Sequence, residues 1–178
     1  INDNGNFTIR GLRNQGYIKI YDINESELFE TNHSNKIQID NSSLGNFELQ
    51  NFDFKSFKEV TMYDNTFKQL NTINVRWMSY INMDGKYNSK SDEYKRHYDL
   101  KETYRQLKIQ LENQKDMVQA QFFLSKEMSE YKKYICEQRK FVFKDRNIFY
   151  RIYMFFRFKT VDRLILLYNE NTNKFGSN

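Results

Sequence analysis

In the first half of this chain apolar side chains recur every five residues. Ile37, Phe47, Phe52, Phe57, Met62 and Phe67 fall on one set of such steps, interrupted at Ser42, and Ile39, Leu44, Leu49 and Phe54 fall on a second. A helix returns a side chain to one face about every 3.6 residues and a strand about every two, so neither element alone produces this spacing. A short fixed period predicts a solenoid, in which each strand-and-turn unit buries its apolar residues against the units before and after it. Leu44, Leu49 and Phe54 are then expected to point into a shared core.

A chain of 178 residues is long enough for one domain, or for two small ones sharing a core. With 16 Phe, 13 Tyr and no Pro, the aromatic content argues for a folded chain rather than a disordered one. Cys136 is the only cysteine, which excludes an intrachain disulfide and fits a reducing compartment; it is expected as a small apolar residue on a helix. Asn-x-Ser/Thr triplets begin at Asn6, Asn24, Asn32 and Asn41, but a chain this rich in Asn produces them by chance. The chain opens at Ile1 without a charged-then-apolar leader. Arg151, Arg157, Lys159, Asp162 and Arg163 interrupt the best apolar stretch before it reaches the roughly 20 residues that cross a bilayer, so the chain is expected to be soluble.

The net charge of +5 is unevenly placed. Residues 1–90 carry 10 Lys/Arg against 11 Asp/Glu, residues 91–140 carry 11 against 9, and residues 141–178 carry 7 against 3. Positive charge and aromatic side chains thus coincide near the C-terminus.

Residues 1–36 predict short strands at Phe7 to Ile9, Tyr17 to Tyr21 and Leu28-Phe29, punctuated by Gly5, Gly11 and Gly16. Ile73, Val75 and Trp77 alternate with polar residues, as in a final strand. From Leu100 the period changes. Leu100, Tyr104, Leu107 and Leu111, then Met117, Ala120, Leu124, Met128, Tyr131 and Ile135, keep helical spacing. They predict an antiparallel helix pair over residues 92–112 and 116–140, with Leu107, Leu111, Ala120, Leu124 and Met128 in its seam. Residues 147–158 fit either strand alternation or a helical stripe, and the preceding helices favour a helix. The expected fold is α+β: a β-solenoid-like region over 1–80, a link over 81–91, a helical hairpin over 92–140 that caps or follows it, and a basic, aromatic, juxtamembrane-like segment over 141–178, with a further helix.

The units Asn46-Phe47-Glu48-Leu49-Gln50 and Asn51-Phe52-Asp53-Phe54-Lys55, preceded by Ser42-Ser43-Leu44, resemble the pentapeptide-repeat family. Two features depart from its pattern: Phe47 and Phe52 stand where a small residue is usual, and Glu59 and Asp64 fall on later central positions, where Leu or Phe is usual. The helical hairpin, and the run from Asp162 through Leu167 to Lys174-Phe175-Gly176, resemble the region that joins the repeats to the membrane helices in certain bacterial pentapeptide-repeat membrane proteins. The resemblance implies a cytoplasmic-side location at the inner face of a membrane. The hairpin also resembles one tetratricopeptide unit, which by itself makes no peptide groove.

Constellations of known chemistry are missing from the sequence. There is no Gly-rich phosphate loop, no Gly-x-Ser-x-Gly elbow and no paired-His zinc motif, and His33, His97 and Cys136 lack metal-ligand spacing. No catalytic, cofactor-binding or metal-binding residue is assigned. His97 is expected as a polar contact on a helix, His33 as a turn residue, and Glu127 and Glu130 on solvated helix faces. Candidate contacts to a membrane or another anion are Arg151, Arg157, Lys159 and Arg163, beside Phe149, Tyr153, Phe155 and Phe156. Core packing is the favoured role for those aromatics. The expected function is a non-enzymatic interaction or scaffold domain of a larger bacterial membrane protein, with a protein partner and an anionic membrane surface. The alternative is a nucleic-acid-binding module, disfavoured by the modest positive charge and the lack of a recognisable motif.

Overall fold

The computed structural model describes residues 6–23, 35–83, 86–87, 92–143 and 168. Six strands, β1 (Phe7–Arg10), β2 (Tyr17–Ile23), β3 (Lys36–Asp40), β4 (Asn46–Asp53), β5 (Glu59–Tyr63) and β6 (Gln69–Arg76), precede two helices, α1 (Glu93–Asn113) and α2 (Met117–Phe143). The class is α+β, as the sequence predicts. The odd strands form one three-stranded parallel sheet, β1-β3-β5, and the even strands another, β2-β4-β6. One buried cluster joins both sheets, residues 77–83 and both helices.

The β-solenoid expectation is corrected by these two separate three-stranded sheets. Strand partners are not related by a five-residue step: they stand 23 residues apart between the later strands, as from Ile37 to Val60 and Asn46 to Gln69. Between the earlier strands the interval is 29 or 30, as from Tyr17 to Asn46 and Phe7 to Ile37. The five-residue steps have a local cause. Phe47 and Leu49 face the core two residues apart on β4, as strand geometry requires. Asn51 then takes the left-handed conformation, φ 50°, and reverses the alternation, so that Phe52 faces inward again. Two and three make the apparent five. Asn41 at φ 51° does the same between Ile39 and Leu44, and Asn74 at φ 53° between Thr72 and Val75. Leu44, Leu49 and Phe54 are buried as expected, but in the core that the sheets share with the helices.

Left-handed residues are stacked across the units. Asp22, Asn51 and Asn74 form one row, in which Asn74 Nδ2 donates to Asn51 Oδ1 (2.9 Å) and Asn51 Nδ2 donates to Asp22 Oδ1 (2.8 Å). Gly11, Asn41 and Asp64 form another. Asn and Asp tolerate this conformation better than other non-glycine residues because their short polar side chains bond locally. Gly45, at φ 62°, admits no side chain: a Cβ there would lie 2.8 Å from Gly16 O and 2.9 Å from Asn14 O.

The helices fold back on one another. Lys115 at φ 64° ends α1, the Asp116 amide bonds Leu111 O (3.0 Å), and the Asp116 carboxylate accepts the Gln119 amide at the start of α2 (3.1 Å). Leu100, Tyr104, Leu107 and Leu111 are buried on α1. On α2 the buried face is Ala120, Phe123, Glu127, Glu130 and Ile135, while Leu124 and Met128 are half-buried. Two expectations change here: Phe123 occupies the seam instead of Leu124, and Glu127 and Glu130 face the partner helix instead of water. Glu127 takes Lys108 Nζ at 2.8 Å and Glu130 takes His97 Nδ1 at 2.6 Å, and these pairings offset the cost of desolvating the carboxylates. Phe123 meets Trp77 edge-on at 5.1 Å, and Trp77 stacks on Phe54 at 5.2 Å, which locks the helices to the sheets. Cys136 is exposed on α2.

Candidate interaction surface

The two ends of the paired sheets are finished differently. Beside β5 and β6, backbone groups that an edge strand would leave open are occupied. Asn82 N donates to Val60 O at 2.7 Å. On α1, Gln110 and Gln114 stand one turn apart, so both side chains reach the same edge. Gln110 Oε1 accepts the Leu70 amide (3.0 Å), Gln114 Oε1 accepts the Thr72 amide (2.7 Å), and Gln114 Nε2 donates to Leu70 O. The Tyr104 hydroxyl accepts the Ile81 amide at 3.1 Å.

Beside β1 and β2 no strand or helix takes that place among the described residues. Phe7, Ile9, Ile18, Ile20 and Ile23 continue the inward-facing rows but are only partly buried, whereas their partners Ile37, Ile39, Phe47, Leu49 and Phe52 are fully buried. Leu12, at 38% exposed, borders them, and Tyr17 and Tyr21 present their rings outward at 57% and 62%. The apolar core therefore reaches solvent along this edge.

Arg10, Arg13 and Lys19 line the same edge, against Asp22 as the one carboxylate of residues 6–23. Arg10 Nε contacts both oxygens of Asp40 at 3.1 Å, and its side chain is 60% exposed while that of Asp40 is 1% exposed. The hydrogen bond to Asp40 holds the guanidinium above the usual arginine range. Lys19 Nζ lies 2.9 Å from Glu48, which also accepts the Tyr17 hydroxyl. Those bonds push Glu48 below and Lys19 and Tyr17 above their ordinary values, so the charges persist at neutral pH.

Other polar groups have structural partners. Lys86 Nζ is shared by Asp64 (2.5 Å) and Asp99 (2.6 Å), and lies 5.2 Å from the Tyr63 ring. Burial opposes its charge, but the two carboxylates outweigh burial and raise it above an ordinary lysine. Burial and the Asp99 bond push Tyr87 up to about 12. This cluster ties the end of β5 to α1, with every one of its charged groups already in an ion pair. A cleft of about 260 Å³ lies between Phe57, Lys58, Met78 and Tyr80. Among the described residues no group of three or more His, Cys, Asp or Glu side chains is placed to hold a metal ion.

The membrane or anion contacts expected from sequence, Arg151, Arg157, Lys159 and Arg163, lie outside the described residues, as do His33, Leu28-Phe29 and the ambiguous interval 147–158. No described helix is long and apolar enough to cross a membrane. Sequence reasoning missed the exposed edge, although a signal for the stacked units beside it was present. Residues 36–58 align with 59–81 at an interval of 23, matching Ile37 to Val60, Asn41 to Asp64, Phe47 to Leu70 and Asn51 to Asn74. Residues 7–23 pair with the first of these units at the longer interval of 29 or 30, so the repeat of 23 does not extend to them.

No family model, curated protein or solved structure matches the chain. The resemblance to pentapeptide-repeat membrane proteins rests on the residues quoted for it.

Proposed function

We propose that this chain is a non-enzymatic interaction or scaffold domain whose contact surface is the β1–β2 edge. The observation that carries this is the unequal finish of the sheets: Gln110, Gln114 and Asn82 satisfy one end, while the other presents strand edges, a half-buried apolar row and two outward tyrosines. Exposed edge strands are templates for another chain, and natural proteins generally cover those they do not use. The 7 Lys/Arg against 3 Asp/Glu in residues 141–178, with their dense aromatics, support a setting on the cytoplasmic side of a larger bacterial membrane protein.

Photo-crosslinking in the native cell tests the contact surface. A photoreactive residue at Tyr17 or Tyr21 is expected to capture one discrete protein. The same group at Val118, which is 77% exposed at the start of α2, is expected to capture none. Equal capture from both places, or none from either, would remove the β1–β2 edge as the contact surface.

A further inference from the structure

We propose that the β1–β2 edge binds an acidic, extended segment of a partner protein, added in parallel as a strand-turn-strand unit along β1, the Arg13 corner and β2. This deepens the interaction-domain proposal above and rests on it. The fold supplies its own template for the occupant. Residues 36–53 follow that same path on the inner side of the edge: they pair Ile37 to Asp40 with Phe7 to Arg10, bridge Ser43 to Arg13, and pair Asn46 to Phe52 with Tyr17 to Ile23. Two of the three edge cations meet a carboxylate of that unit, Arg10 at Asp40 and Lys19 at Glu48. The outer side of the edge has no such carboxylate unit among the described residues, and the Arg10 side chain remains 60% exposed and that of Lys19 41%.

In a parallel ladder alternate N–H and C=O groups of an edge strand point away from its one neighbour, so the outer side of β1 and β2 offers main-chain bonds to an incoming strand. Alternating apolar residues of that strand would cover Phe7, Ile9, Ile18 and Ile20, and its outward acidic residues would stand beside Arg10 and Lys19. The Asp22 carboxylate ends the Asn74–Asn51–Asp22 row as an acceptor, which favours Asn at the matching position of the occupant. The cations also select against other occupants. A second copy of this edge would bring Arg10, Arg13 and Lys19 against their own kind, and like charges on adjoining strands repel.

The probe is an N-acetylated peptide of residues 36–53, which carries Asp40 and Glu48 in the register the fold uses, titrated into the full chain. Its counterpart has Asp40 and Glu48 replaced by Lys and keeps Asp53. The acidic peptide is expected to bind, more weakly as salt rises, and to slow amide hydrogen exchange in Tyr17–Ile23 while leaving Gln69–Arg76 unchanged. The lysine peptide is expected not to bind. Lys19→Gln is expected to weaken binding about threefold, as the loss of one exposed charge pair would. The exchange measurement on the native chain decides the matter even if that variant folds poorly.

Equal binding of the two peptides, protection elsewhere, or no binding would overturn the acidic-strand proposal. So would a salt-sensitive dimer of the chain alone, or tighter binding of single-stranded RNA or of anionic vesicles than of the acidic peptide. If the peptide fails while crosslinking from Tyr17 still captures a protein, the class of occupant is wrong and the interaction domain stands. If both fail, both proposals fall.

Discussion

Gly45 and Tyr104 each carry a constraint that no neighbour in sequence reveals. At φ 62° an alanine at position 45 would sit in strained backbone, at a cost of about 1–3 kcal/mol. Its Cβ would also press on the Gly16 and Asn14 carbonyls, so Gly45→Ala is expected to lower the urea midpoint by more than the backbone cost alone. Tyr104→Phe leaves the Ile81 amide without its acceptor, and about 1–3 kcal/mol should be lost. The same substitution changes the alkaline limb of stability. Burial pushes Tyr104 from 10.0 up to about 12, so its contribution is complete below pH 10 and is lost as pH rises toward 12, while the unfolded chain ionises first. Urea melts between pH 9 and 12 are expected to show a shallower decline for Tyr104→Phe, with the remaining slope owed in part to Tyr87, which is also raised to about 12. An unchanged limb would mean that the ring is not held neutral by burial.

At the scale of elements, the pairing of α2 with α1 turns on which face of α2 points inward. Phe123 is fully buried against Trp77, Tyr104 and Phe122, whereas Leu124 is half-buried. Phe123→Ala is therefore expected to cost about 3–5 kcal/mol and Leu124→Ala less than about 2 kcal/mol, measured by chemical denaturation. The reverse order would restore the seam that periodicity predicts. Helical spacing alone admits both rotations, because 120, 124 and 128 and 120, 123 and 127 each follow one stripe. The choice falls to the second because Lys108 and His97 meet Glu127 and Glu130, and because Trp77 packs perpendicular to Phe123. The strands behave similarly. The inward residues Leu44, Leu49 and Phe54 were legible from their spacing, yet the spacing came from left-handed Asn residues inside a period of two. A local cause thus produces the spacing of a repeating coil.

For the whole molecule, the C-terminal cations suggest a membrane role that vesicle binding can test. Co-sedimentation with anionic vesicles is expected to exceed that with neutral ones and to fall when Arg151, Arg157, Lys159 and Arg163 are changed to Glu. Each cation near such a surface contributes about 1 kcal/mol, and less as salt rises. Equal sedimentation of native and four-site variant chains would remove the electrostatic part of the proposal. The two ends of the sheets make a separate point: Gln110 and Gln114 occupy backbone groups of β6, whereas no described strand or helix stands beside β1 and β2.

Sequence alone determined which side chains of the strands turn inward and where the helical period begins, because those properties are set within a few residues by backbone geometry. It also showed the α+β class and the absence of familiar catalytic motifs. Only the tertiary structure decided that the strands sort into two parallel sheets, since partners 23 to 30 residues apart are chosen by contacts no local pattern encodes. It likewise decided that Glu127 and Glu130 are buried, because a carboxylate leaves water only where a cation or imidazole from another element stands ready to receive it.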